Sequence, residues 1–272
     1  MKIFKDKYNL KKKIYLFNKV SFVPTMGGLH NGHKYLIKNA KKKGSKVIVS
    51  IFVNPKQFNS KKDFKYYPRN LNQDLKVLKK LNVDYVYLPN IKDIFSFKTN
   101  NKIFIDKFSQ KLCGKFRKKH FRGVVNVVNR FLEIIKPKYI HLGEKDFQQL
   151  YLIKQHIKKK KINTIVCSCK TIREENGIAH STRNYLLTKN QKKKAAKIYK
   201  LLRKEKKSIN FNKFFNKKIK LIKKKIIELG ASKIDYLECL NLKTLNKPRL
   251  NSNKFNFFIA YYIGKVRLID NF

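Results

Sequence analysis

The stretch Pro24-Thr-Met-Gly-Gly-Leu-His-Asn-Gly-His33 sets two imidazoles three residues apart among three glycines. Where such a stretch turns from a strand into a helix, Gly27, Gly28 and Gly32 permit tight turns and let backbone N–H groups approach an anion closely. The helix N-terminus adds a favourable dipole. His30 and His33, at i and i+3, can then face the same ligand. This chemistry is phosphate handling, with Met26, Leu29 and Asn31 inside the same candidate surface. Two of the six His residues fall here, which separates the stretch from an incidental strand-to-helix turn. Neither a P-loop nor a G-x-G-x-x-G pattern occurs, so kinase-like and dinucleotide readings lose their support.

Gly143-Glu144-Lys145-Asp146 is a second candidate. A Lys in a loop after a strand can neutralise phosphate charge as an α-phosphate is attacked. Asp146 is suited either to holding ribose hydroxyls or to orienting that Lys. Gln57 lies in a loop just after an apolar run, where a neutral amide can hydrogen-bond a hydroxyl or carboxylate without adding charge. Cys167-Ser-Cys169 is half of a metal-site spacing, but no second Cys/His pair lies at ligand distance in the sequence. In a strand those two side chains share a face, and reduced core thiols are the expectation.

The elements that must position these residues follow from hydrophobic periodicity. Strands are expected at Val20 to Pro24, Val47 to Val53, Val83 to Leu88, Tyr139 to Leu142 and Ile162 to Cys169. Helices are expected at Asn31 to Lys43, Asn70 to Leu81, Val124 to Ile135 and Phe147 to Lys159. Such alternation implies parallel βαβ units with helices on both faces, a Rossmann-like doubly wound sheet, which binds ligands outside the carboxyl ends of its strands. Past Leu187 the pattern changes to helices at about Gln191 to Lys206 and Phe211 to Leu229, then strands near Tyr236 to Cys239 and Phe257 to Ile263. A domain boundary is placed near residue 180, giving a first domain of residues 1–180 and a smaller α+β domain of residues 181–272.

The chain has 272 residues, 42% hydrophobic and 13% aromatic, enough to bury a real core. Its formal net charge is +51, with 67 Lys+Arg against 16 Asp+Glu, which by itself suggests nucleic acid or an anionic surface. Only nine of those 67 are Arg, and the Lys residues run evenly through the predicted helices. A chain-wide drift toward Lys and Asn accounts for this better than a selected polyanion-binding face, so no nucleic-acid partner is expected. Four scattered cysteines make no secreted disulfide framework. No apolar run approaches about 18 residues and no signal segment opens the chain, so a cytoplasmic location without a membrane partner is expected.

The His-x-Gly-His of Pro24 to His33 resembles that of adenylyl and nucleotidyl transferases, which attack the α-phosphate of ATP and release pyrophosphate. Further segments narrow the resemblance. Ser50-Ile-Phe-Val-Asn-Pro-Lys-Gln-Phe58, Tyr67-Pro-Arg69, His120-Phe-Arg-Gly-Val124, Gly143-Glu-Lys-Asp-Phe-Gln-Gln149, Asp235-Tyr-Leu-Glu238 and Arg267-Leu-Ile-Asp-Asn271 follow in order. Together they resemble the pantothenate synthetase (pantoate–β-alanine ligase) family over nearly the whole chain.

The resemblance implies that pantoate's carboxylate attacks ATP to give pantoyl adenylate and pyrophosphate, after which β-alanine displaces AMP. It makes Gln57 and Gln149 the grip on pantoate, with Gln57 also near β-alanine. Ile172-Arg173 and the segment His180-Ser181-Thr182-Arg183-Asn184 correspond to a second ATP-binding stretch, whose hydroxyls and Arg would clamp the triphosphate. His180 departs from the family's apolar or Lys residue and could supply a cation or only a backbone contact. Thr182 stands where the family has Ser and keeps the hydroxyl. His33 is the implied proton donor, an imidazole expected to protonate near neutral pH. His30, Lys145, Arg183 and Mg²⁺ would stabilise charge, with Asp74 helping to hold Mg²⁺ through water. A homodimer is implied, with the C-terminal domain closing over the active site.

Overall fold

The computed structural model describes residues 1–209, 215–248 and 254–272. Its first part runs β1 (Lys2–Phe4), α1 (Lys7–Ile14), β2 (Val20–Thr25), α2 (Asn31–Lys41), β3 (Lys46–Ile51), α3 (Lys61–Lys65), α4 (Leu71–Lys80), β4 (Tyr85–Tyr87), α5 (Ile91–Phe95), α6 (Cys113–Phe116), α7 (His120–Ile135), β5 (Tyr139–Gly143), α8 (Phe147–Lys159) and β6 (Ile165–Cys169). These six strands form one sheet in the order β1-β4-β3-β2-β5-β6, and every pairing is parallel. The order reverses beside β2, which has β3 on one side and β5 on the other. That switch point is where a doubly wound sheet opens a crevice at its carboxyl edge.

Side-chain alternation along the strands explains the two helix layers. Phe22, Ile48, Tyr85 and Tyr87 join a core with Leu10 of α1, Phe131 of α7 and Ile153 of α8. Their neighbours Val23, Val47, Val49 and Val86 point the other way, into a core with Ile37 of α2 and Leu78 of α4. A strand buried on both faces reads as a continuous apolar run, which is why Val20 to Pro24 and Val47 to Val53 are legible in sequence. The doubly wound expectation holds.

The second part runs α9 (Lys189–Ser208), α10 (Phe215–Glu228), β7 (Lys233–Asn241), β8 (Phe255–Ile263) and β9 (Val266–Asn271), with an antiparallel sheet in the order β7-β8-β9. Ile198, Leu202, Ile222 and Ile226 of its helices pack on Phe257, Ile259 and Tyr261. The expected helix from Phe211 begins among residues 211–214, which lie outside the described residues. Elements that were not expected include β1, α1 and β9. Each presents few buried residues amid lysines or charged neighbours, as in α1, where Leu10 and Ile14 are the only buried apolar positions.

Two compact units divide between Ile172 and Arg173, several residues ahead of the boundary expected near residue 180. Arg173 explains the difference. Its guanidinium donates to both Asp270 oxygens at 2.6 and 3.0 Å and to the Gly177 and Asn271 carbonyls, so the segment leading to Ser181 is held by β9. Among the described residues no helix is long and apolar enough to cross a membrane.

His141, in the middle of β5, is 1% exposed, and neither ring nitrogen has a hydrogen-bond partner among the described residues. Burial, with Lys43 adding, lowers its pKa from 6.5 to about 4. His156 is lowered to about 4 by burial and then by Lys160, although its ring bonds to Asn129 and to the Phe104 N–H. Both rings stay neutral in the folded protein while the unfolded chain takes up protons. Their contribution is therefore complete above pH 6.5 and is lost as pH falls toward 4, on the order of 3 kcal/mol for each ring. His141→Leu removes a buried polar group that has no partner, and should hold or raise stability at neutral pH while flattening the acid loss. Urea midpoints at about pH 7.5 and about pH 5 test this, and an unchanged pH dependence would contradict it.

Candidate active site

Three loops leave the carboxyl ends of adjacent strands β3, β2 and β5. The loop after β2 needs two left-handed residues, Gly27 at φ 79° and Gly28 at φ 61°, which only glycine adopts at little cost. It then enters α2 through His30, an N-cap whose Nδ1 accepts the Gly32 N–H at 3.1 Å. His33 Nδ1 in turn accepts the His30 N–H at 3.3 Å, completing a reciprocal capping box made of two histidines. The rings lie 4.0 Å apart between centroids. Because each Nδ1 is an acceptor, each ring in its neutral form carries its proton on Nε2.

Beneath this loop Asp74 of α4 accepts from Gly28 N at 2.9 Å and Leu29 N at 2.7 Å. It is 3% exposed, and a Cβ on Gly27 would stand 2.9 Å from its Oδ2. Burial pushes its carboxyl above the usual range, while the two N–H bonds oppose the shift. Two expectations change. The amides of Gly28 and Leu29 already face an internal carboxylate, so anion binding here falls to the imidazoles more than to a backbone cradle. Asp74 does not suit the water-mediated Mg²⁺ role, since both oxygens are buried and engaged. Among the described residues no group of three or more His, Cys, Asp or Glu is placed to hold a metal ion. Asp74→Ala strands two N–H groups and is expected to cost about 2–4 kcal/mol, read as a lower urea midpoint. A midpoint within error of wild type would contradict the loop-holding role.

The loop after β5 is a short 3-10 turn, Glu144–Asp146. Lys145 has a side chain 17% exposed, with Nζ 3.9 Å from Asp146 Oδ1. Both charges act on His33, with Asp146 favouring its protonated form and Lys145 opposing it. Burial outweighs both and lowers His33 to about 4. His33 is half-buried, and burial favours its neutral form, an Nε2–H donor, over the imidazolium that the resemblance implies.

The loop after β3 carries Gln57 at the end of the 3-10 turn Pro55–Gln57. Gln57 is 8% exposed, its Nε2 lies 2.6 Å from Met26 Sδ, and its Oε1 accepts from Asn54 Nδ2 at 3.3 Å. Met26 thus links this loop to the one after β2. Asn54, 1% exposed, also donates to the Gly123 carbonyl and caps Lys56 N, a role that sequence reading passed over although Asn before Pro is a turn-opening signal. On α8 the two glutamines part: Gln148 bonds to Phe108 O, Lys111 O and Cys113 N and fixes a loop, while Gln149 is half-buried.

Ile172 ends the first unit. In the second, Ser181 Oγ accepts the Arg183 N–H at 3.2 Å and opens the 3-10 turn Thr182–Leu186. Thr182 is buried, and His180 and Ser181 are half-buried. Asn184 donates to Glu174 Oε1 and the Ala179 carbonyl, which sets the shape of this turn.

A parallel sheet with two imidazoles and a lysine beside its switch point is the arrangement of an α/β enzyme. Comparison with known proteins makes the class specific. The chain belongs to the pantoate-beta-alanine ligase family, whose model matches residues 2–272. It is 45% identical over 254 residues to the pantothenate synthetase of Ruthia magnifica, covering 93% of this chain and 90% of that protein. It is 41% identical over 271 residues to that of Francisella tularensis subsp. novicida, covering 98% and 94%. Among solved structures it is similar to pantoate-beta-alanine ligase from Francisella tularensis complexed with beta-gamma ATP and beta-alanine, at 41% identity and TM-score 0.84 over 100% of this chain and 97% of that one. Pantothenate synthetase from Thermus thermophilus matches at TM-score 0.90 and 28% identity over 100% and 99%.

Proposed function

We propose that this chain condenses (R)-pantoate with β-alanine at the expense of ATP, through a pantoyl-adenylate intermediate. A pantoate carboxylate oxygen attacks the α-phosphorus, and pyrophosphate leaves with the electron pair of the broken P–O bond. The β-alanine amine then attacks the acyl carbon, loses a proton, and AMP leaves carrying the former carboxylate oxygen. No enzyme nucleophile is required, and catalysis is positioning and charge stabilisation. The observation that carries this reading is the gathering of His33, Lys145 and Asp146 at the switch point, with Gln57 joined to the same loop through Met26.

In this reading His33 Nε2–H donates to the reacting phosphate and His30 Nε2–H holds a neighbouring one. Negative phosphates beside a neutral imidazole favour its protonation, so ATP binding would raise the His33 pKa and draw a proton onto the ring from solvent. Lys145 neutralises the α-phosphate while Asp146 keeps its ammonium oriented. Gln57 and Gln149 bind pantoate, with β-alanine beside Gln57. Ser181, Thr182 and Arg183 contact the triphosphate, with His180 and Ile172 flanking them. Mg²⁺ enters as the counter-ion that ATP carries on its own phosphates, and no step is assigned to it. A homodimer and a cytoplasmic location belong to the same reading, which needs no nucleic-acid partner.

Isotope transfer tests the intermediate. Pantoate labelled with ¹⁸O in its carboxylate should deliver one label to AMP and keep the other in the new amide. Label in inorganic phosphate, with ADP as co-product, would mean an acyl phosphate and sink the adenylate.

A further inference from the structure

The segment His120 to Val124 carries part of the family resemblance, yet none of its residues has a place in the chemistry above, and Arg117 lies just ahead of it. Its contacts converge on a single atom. His120 Nδ1 lies 2.6 Å from the Gln57 carbonyl oxygen, and Arg117 Nη2 donates to the same oxygen at 3.3 Å. Arg117 Nη1 lies 3.2 Å from His120 Nε2. A carbonyl can only accept, so Nδ1 must carry the imidazole proton. That leaves Nε2 as the acceptor for the guanidinium. The two side chains therefore form a closed triangle of hydrogen bonds on the Gln57 backbone, and His120 is 9% exposed.

The first turn of α7 closes on the same loop. A Cβ on Gly123 would stand 2.3 Å from the Lys56 carbonyl oxygen and 3.0 Å from Gln57 Cα, so only glycine lets the helix approach this near. The Gly123 carbonyl accepts from Asn54, which also binds the Gln57 side-chain oxygen. Backbone and side chain of Gln57 are thus fixed by separate partners from one helix turn and one loop residue.

We propose that His120 and Arg117 are positioning residues for the pantoate subsite, holding the Gln57 backbone so that its amide meets the substrate in one orientation. The proposal rests on the reading of Gln57 as a pantoate ligand. Losing the triangle lets Gln57 sample other orientations and weakens pantoate binding, while the phosphate-binding histidines, held by their own capping box, are left in place.

The test compares Michaelis constants for pantoate and ATP in wild type, His120→Ala, His120→Asn, Gln57→Ala and the double variant Gln57→Ala/His120→Ala. Asn is the informative replacement, because its amide N–H takes the place of Nδ1–H. His120→Ala should raise the pantoate KM about tenfold and leave the ATP KM within about twofold, while His120→Asn recovers most of the loss. In the double variant the His120 change should add nothing to Gln57→Ala. If His120→Ala does not fold, half-buried Arg117→Met should show the same KM split at smaller size. Equal rises in both KM values, no difference between Ala and Asn, or multiplicative effects in the double variant would overturn the positioning role. A wild-type pantoate KM in Gln57→Ala would instead overturn the subsite reading on which it rests.

Discussion

His33→Ala is expected to slow pantoate-dependent exchange of pyrophosphate into ATP by about 10²–10³-fold, with far smaller effects on folding. The size follows from where the ring sits. It occupies the third position of α2, its Nδ1 accepts the His30 N–H at 3.3 Å, and its remaining nitrogen can only donate. Burial favours its neutral form and lowers its pKa to about 4. Since kcat/KM for ATP reports the free enzyme, that profile should show no His33 limb between about pH 5.5 and about pH 8. His33→Gln, which places an amide N–H near the Nε2 position, should recover part of the rate. Wild-type exchange in His33→Ala would remove this residue from the mechanism.

Lys145→Met should cost a similar factor, about 10²–10³-fold in the adenylation half-reaction, because it deletes the cation at the reacting phosphate while keeping most of the side-chain volume. Lys145 stands on a turn fixed by β5, is mostly enclosed, and pairs with Asp146 at 3.9 Å, so its ammonium is held where water screens it little. Lys145→Arg should recover only part of the activity, since a planar fork does not replace a compact ammonium. Single-turnover adenylate formation at saturating pantoate separates this loss from pantoate binding. A Lys145→Met enzyme that forms adenylate at the wild-type rate would assign the charge stabilisation elsewhere.

The parts of the fold that sequence made legible are those buried on both sides. β2 and β3 are continuous apolar runs because helices cover both faces, and periodicity finds such runs readily. β1 and β9 escape because a three-residue edge strand and a strand with a single fully buried residue bury too little to stand out. α7 begins at His120, earlier than Val124, and the glycine in its first turn hid that start. Gly123 is there because the Lys56 carbonyl leaves no space for a Cβ, a constraint between residues far apart in sequence.

The same distinction runs through the site. The glycines and paired histidines announce a phosphate loop because their types and spacing are local. Asp74 could not be read correctly this way. A carboxylate in a lysine-rich helix resembles a metal ligand or a surface charge until its oxygens are seen on Gly28 N and Leu29 N. The pKa of His33 is also a property of enclosure, which no spacing encodes. Gln57 was identified through its family context, but the groups that hold it, Asn54, His120 and Arg117, emerge only once α7 lies against the loop after β3.

The central claim is that pantoate is activated on ATP before any amine enters. Purified protein given ATP, Mg²⁺ and labelled pyrophosphate should return label to ATP when pantoate is added, in the absence of β-alanine, and should release AMP and pantothenate once β-alanine is supplied. Exchange that requires β-alanine, or that proceeds with another carboxylic acid and not with pantoate, would contradict it.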